Sequence, residues 1–134
     1  MKRFAILLGA LACGSGDRTP PADVEVAYGA RFDLGQGEQA LIGGEARVTF
    51  ARIAEESRCP AGVRCIRAGN AAAVFGVESP AGTATLTLNT DREPRRAVAA
   101  GLALALIGLG PPPVEAAAVD TAAYEATLVV DHAP

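Results

Sequence analysis

Two cysteines with five residues between them, Cys59 and Cys65, sit among three arginines, Arg58, Arg64 and Arg67. Thiols and guanidinium groups this close together suggest three kinds of chemistry. A redox dithiol normally spaces its cysteines by two residues at a helix start, and the spacing here is wider. A zinc site needs further ligands, and the sole histidine, His132, lies two residues from the C-terminus. Recognition asks less: a loop displaying Arg58, Arg64 and Arg67, with Asn70 beside them, could hold a carboxylate, a phosphate or an acidic partner. The ordinary alternative is that these arginines are simply solvated.

Catalytic groupings are poorly represented elsewhere. Ser57 has no histidine at a plausible motif spacing, so a triad has no base. Glu55 and Glu56 are adjacent and would point to opposite faces of a strand, which is not the arrangement of a working carboxylate pair. Gly35-Gln36-Gly37 and Gly43-Gly44 read as turns between strands, because a phosphate cradle would need a following helix. The sequence therefore predicts no catalytic residue, no cofactor and no metal. Nucleic acid is not an expected partner either: the formal net charge is -3 and none of the six aromatic residues is tryptophan.

The elements that must carry the cysteine loop read as strands. A chain of 134 residues suits one domain with its own core. From Val24 onward, short runs of period near two are broken by Gly, Pro, Asn or Asp, the pattern of an all-β sandwich or barrel. Strands are expected at about Val24–Leu34, Gln39–Ile42, Ala46–Ala54, Ala71–Glu78, Thr83–Asn89, Leu102–Leu109 and Tyr124–Asp131. Alternation slips near Arg52, which predicts a bulge there. Thr83, Thr85 and Thr87 alternate with Ala84, Leu86 and Leu88, giving one hydroxylated and one apolar face. Ala97–Leu109 is ambiguous between helix and strand; its Leu/Ala alternation and three glycines favour a strand. Pro111-Pro112-Pro113 imposes an extended connection that cannot be central in a sheet.

The N-terminus reads as an export signal. Lys2 and Arg3 precede an uncharged apolar run, Phe4–Ala12, too short for a membrane span of roughly 20 residues. Ala10-Leu11-Ala12-Cys13 resembles the lipobox of bacterial lipoproteins, with leucine two residues before the cysteine where the family most often has it three before. The resemblance implies a signal peptide over 1–12, lipid modification of Cys13, a polar tether through 13–22, and a single domain over 23–134. Gly14 after the cysteine implies sorting to the periplasmic face of the outer membrane in a cell with two membranes. Removing Lys2 and Arg3 takes the net charge from -3 to -5. With Cys13 lipidated, two cysteines remain, and an even remainder in an oxidising compartment predicts a Cys59–Cys65 disulfide.

Two further resemblances bear on the fold. Asp120-Thr121-Ala122-Ala123-Tyr124 resembles the Asp-x-Ala-x-Tyr tyrosine corner of immunoglobulin-like sandwiches, in which the phenol bonds back to upstream backbone. It implies structural roles for Asp120 and Tyr124, although Tyr124 opens the last strand and the corner normally opens the one before. The segments Glu56-Ser57-Arg58-Cys59-Pro60, Val63, Cys65-Ile66 and Ala68-Gly69-Asn70-Ala71, after Val48-Thr49-Phe50-Ala51-Arg52-Ile53, are similar to those of small secreted or lipid-anchored bacterial proteins of uncharacterised function. That resemblance implies a fold and an envelope location. It departs at Arg67, where those proteins usually have tryptophan.

The expectation is an antiparallel β-sandwich, immunoglobulin-like or a related Greek key, with about seven strands and one short disulfide-closed loop. Its expected role is that of a non-enzymatic envelope lipoprotein, membrane-held through Cys13, whose loop contacts an envelope protein or acidic ligand. A β-sandwich inhibitor of secreted proteases, presenting Arg64, is the first alternative, and a hydrolase with an unrecognised site the second. The sequence carries no signal for oligomeric state.

Overall fold

Strand alternation predicts which side chains turn inward, and the computed structural model, which describes residues 24–60, 62–113 and 123–134, bears this out most plainly in Gly82–Asn89. There Ala84, Leu86 and Leu88 face the core and the threonines face outward. The signal peptide, Cys13, the tether and Asp120 lie outside the described residues.

The described residues form nine strands, where seven were expected: β1 (Val24–Val26), β2 (Arg31–Gly35), β3 (Gln39–Ile42), β4 (Ala46–Glu56), β5 (Ala71–Ser79), β6 (Gly82–Asn89), β7 (Arg96–Ala99), β8 (Leu102–Gly110) and β9 (Glu125–His132). One sheet has the order β1-β3-β4-β5-β6 and the other β2-β9-β8-β7. All pairings are antiparallel except β1 with β3, which is parallel. Two meanders, β3 to β6 and β7 to β9, thus face each other, and β2 closes the second sheet against β9.

Two differences from expectation account for the extra strands. The first expected strand breaks at Ala27–Ala30, where Gly29 takes φ +79° and donates to Val130 O at 2.8 Å, sending β1 and β2 into different sheets. The ambiguous Ala97–Leu109 stretch is a hairpin. Ala100 and Gly101, both at positive φ, turn β7 into β8 with Ala99 opposite Leu102, the geometry favoured for two-residue hairpin loops.

The core is aliphatic around one aromatic pair, Phe50 and Phe75, with ring centroids 5.2 Å apart. Leu34, Ile42, Leu104 and Leu128 complete it from both sheets and are fully buried. The bulge expected near Arg52 is present as a register shift between Phe50 and Arg52, and a second follows between Ile53 and Glu55. Bulges bend and twist a strand. Here they end β4 with Glu55 and Glu56 turned to different neighbours, which is how the following loop is positioned.

Candidate binding loop and its inter-sheet latch

The connection from β4 to β5 carries the cysteines. Its base is closed by Ser57 and Asn70: Ser57 N–H donates to Asn70 O at 2.8 Å, and Asn70 N–H donates to Ser57 Oγ at 3.0 Å. Gly69 is required at this closure, because a Cβ there would lie 1.4 Å from Ser57 O. Above the base, Cys59 and Cys65 are disulfide-bonded, with Cα atoms 5.9 Å apart.

Two of the four residues expected to form a contact surface turn inward. Arg58 is a strut. Its Nε and Nη2 donate to the Glu56 carboxylate at 3.0 and 2.9 Å, its Nη1 to Leu109 O at 2.7 Å, and its Nη2 also to Pro111 O at 3.0 Å. Its side chain is 13% exposed. Pairing of β8 with β7 stops at Ala105, apart from the bond of Leu106 N–H to Arg95 O, whereas β8 itself runs on to Gly110. Beyond that point the guanidinium takes carbonyls at the end of β8 that no β7 residue pairs with. A planar fork of donors suits this role, and capping an open sheet edge removes a template for unwanted strand pairing.

Tyr124 extends the same unit. Its hydroxyl donates to Glu56 Oε2 at 3.0 Å. The tyrosine-corner resemblance implied a bond to upstream backbone; the described bond instead crosses to the end of β4 in the opposite sheet, and Asp120 lies outside the described residues. Burial raises the phenol pKa, the hydrogen bond to Glu56 and its negative charge raise it further, and the Arg58 guanidinium offsets part of the rise. Tyr124, Glu56 and Arg58 together latch the loop base to the other sheet.

Asn70 is 5% exposed and belongs to a second polar cluster. Its Nδ2 donates to Asn89 Oδ1 at 2.9 Å and to Glu55 Oε2 at 3.2 Å, and its Oδ1 accepts from Asp91 N–H at 3.0 Å. Glu55 pairs in turn with Arg92. Buried amides need such partners, and satisfied networks of this kind fix a local geometry.

What remains at the surface is the tip. Arg64 and Arg67 are exposed and have no side-chain partner among the described residues. Between them Ile66 is fully exposed, at 103%, the highest value among the exposed large apolar residues described. Sequence reasoning passed over Ile66 because one aliphatic residue in a polar loop has no periodicity. The available signal was its position, between two cations and next to the closing cysteine.

Two shallow clefts, of about 250 and 280 Å³, flank Arg58. The first is lined by Thr90, Asp91, Arg95 and Leu106–Leu109, the second by Cys59, Ala68, Gly69, Asp91, Pro112 and Pro113. The first contains the Thr90 hydroxyl, which donates to the neighbouring Asp91 carboxylate, and the cysteine of the second is held in the disulfide. Among the described residues no group of three or more His, Cys, Asp or Glu could hold a metal ion, and no helix is long and apolar enough to cross a membrane. His132 stacks on Tyr28, centroids 3.8 Å apart, at the opposite end of the sandwich from the loop. Compared with protein-family models, with curated proteins and with solved structures, the chain matches none.

Proposed function

We propose that this protein is a non-enzymatic module of the bacterial cell envelope, exported and held by a lipid on Cys13, whose Cys59–Cys65 loop is its contact element. The observation that carries the reading is Ile66, an aliphatic side chain left wholly in solvent at the tip of a covalently closed loop, flanked by Arg64 and Arg67, which have no side-chain partner among the described residues. Exposing an isoleucine forgoes about 2 kcal/mol of burial. A loop held at its base by Ser57, Gly69 and Asn70 and latched through Arg58 is already ordered, so binding through its tip would lose little conformational entropy.

The test places a photoreactive side chain at position 66 in cells, with one at Thr85 on the exposed face of β6 as control. Adducts at 66 well above those at 85 are expected; equal adducts at both positions would remove the loop as a contact element. Replacing Cys13 by Ser should make the protein extractable from membranes by high salt, where the wild type needs detergent, and equal extraction of the two would refute the anchor.

A second reading has its own observation: Arg64 is exposed on a disulfide-closed loop, the manner in which rigid scaffolds offer a basic residue to trypsin-like proteases. Here the domain would inhibit such a protease and Arg64→Ala would abolish the inhibition. Unchanged protease activity with micromolar domain removes this reading.

A further inference from the structure

We infer that the partner of the loop tip is the anionic headgroup surface of the bilayer that holds the protein, with Ile66 entering the interface between Arg64 and Arg67. This deepens the proposed function and rests on its anchor at Cys13. Three independent features point the same way.

The first is the chemistry of the tip. One aliphatic side chain between two guanidinium groups is the composition of interfacial membrane contacts, in which apolar atoms enter the headgroup boundary and cations meet anionic lipid. A protein groove would more commonly be met by a cluster of apolar anchors.

The second is the distribution of charge along the sandwich. Arg64, Arg67 and Arg95 stand at the loop end with no ion-pair partner among the described residues; of the acids there, Glu55 and Glu56 are paired with Arg92 and Arg58, and Asp91 and Glu93 lie exposed beside Arg95, away from the tip. The opposite end carries Glu45 in the β3–β4 turn, Asp131 beside Gly29, and Glu78 opposite Arg47. An anionic surface would attract the tip, where Arg64 and Arg67 face no acid of the loop, and repel the opposite end.

The third is chain direction. In β1, Val24 lies level with Ala40, itself opposite Val48, and Val26 lies level with Ile42, opposite Ala46. Because β4 runs from Ala46 toward the loop, the chain enters β1 from the loop side. The loop end stands about 25 Å beyond Val24, at ~3.3 Å per residue from Val48 to Glu56. Residues 14–23, between the lipid site and Val24, can reach about 35 Å when drawn out. The loop end can therefore meet the bilayer while Cys13 stays in it.

Two measurements test this. In the first, the lipidated chain is placed in phosphatidylglycerol-containing discs that carry a paramagnetic lipid, and broadening of amide signals is read along the chain. Broadening strongest at Val63–Arg67 is expected; broadening as strong at Gly43, Gly44 and Gly101 would overturn the inference. In the second, the Cys13→Ser chain is titrated with phosphatidylglycerol and with phosphatidylcholine vesicles. Preference for the anionic vesicles is expected, falling about 5-fold for Arg64→Gln or Arg67→Gln and about 30-fold for both together. Ile66→Glu should also lose binding. Equal affinity of the double variant and the parent, no preference between vesicles, or adducts from position 66 that contain protein and no lipid would each refute the inference. Failure of the anchor reading is separable, since it appears as wild-type protein that high salt releases from membranes as readily as the Cys13→Ser chain, and leaves the vesicle titration of that chain interpretable.

Discussion

Replacing Arg58 by alanine tests the latch most directly. The substitution removes a forked ion pair to Glu56 and two hydrogen bonds to Leu109 O and Pro111 O. Hydrogen bonds to charged groups contribute about 1.5–3 kcal/mol each when desolvated. The pair is partly solvated, with side chains 13% and 22% exposed, so the full sum does not apply. A loss of about 3 kcal/mol is expected, part of it from leaving Glu56 with only the Tyr124 hydroxyl. Lysine keeps the charge without the fork and should cost about 1–2 kcal/mol. Adding Glu56→Gln to Arg58→Ala removes the stranded carboxylate, so the double variant should fall short of additivity by about 1 kcal/mol. Equilibrium urea unfolding with the disulfide intact measures each value at an unchanged m. An Arg58→Ala cost under about 0.5 kcal/mol, or strict additivity with Glu56→Gln, would show that Arg58 is a solvated surface arginine and that the latch reasoning is wrong.

Gly69→Ala should destabilise by about 3 kcal/mol, because its Cβ would meet Ser57 backbone and no side chain can give way; a thermal midpoint within error of wild type would contradict the close approach. Replacing Cys59 and Cys65 together by alanine should cost about 2.4 kcal/mol on the chain-entropy estimate while leaving the strand signal in circular dichroism unchanged, since the ring closed is local. The contribution of the two tyrosines to stability should be constant up to about pH 10 and fall above it: burial and Glu56 raise the Tyr124 pKa, burial and Glu45 raise that of Tyr28, and a raised acid contributes stability that is complete below its ordinary value of 10.0 and lost as pH rises through the folded value. The Tyr28→Phe/Tyr124→Phe variant should show a shallower fall in alkaline urea titrations.

Much of the scaffold was legible because it depends on local period. Thr83–Leu88 alternates without interruption, and one residue of slip would carry its leucines into solvent, so its faces could be assigned from sequence. The bulge at Arg52 was visible as broken alternation in the same way. The break between β1 and β2 was not: Tyr28 and Gly29 interrupt an otherwise strand-like run, and the choice of separate sheets depends on Gly29 meeting Val130, about a hundred residues later in the chain. The β7–β8 hairpin was hidden for a related reason, since its turn uses Ala100 at φ 52°, a residue that gives no turn signal.

For the loop, the sequence predicted the Cys59–Cys65 pair through the export reading, which sets Cys13 apart and leaves an even remainder, and the bond is present. Which arginine faces outward was decided only by the tertiary structure. Arg58 and Arg64 have the same chemistry and both neighbour a cysteine, yet Arg58 meets carbonyls 51 and 53 residues further along, at the end of β8, and Arg64 meets none among the described residues. A guanidinium becomes a strut or a free cation according to which acceptors the packing of the two sheets brings within about 3 Å of it, a distance no sequence interval encodes.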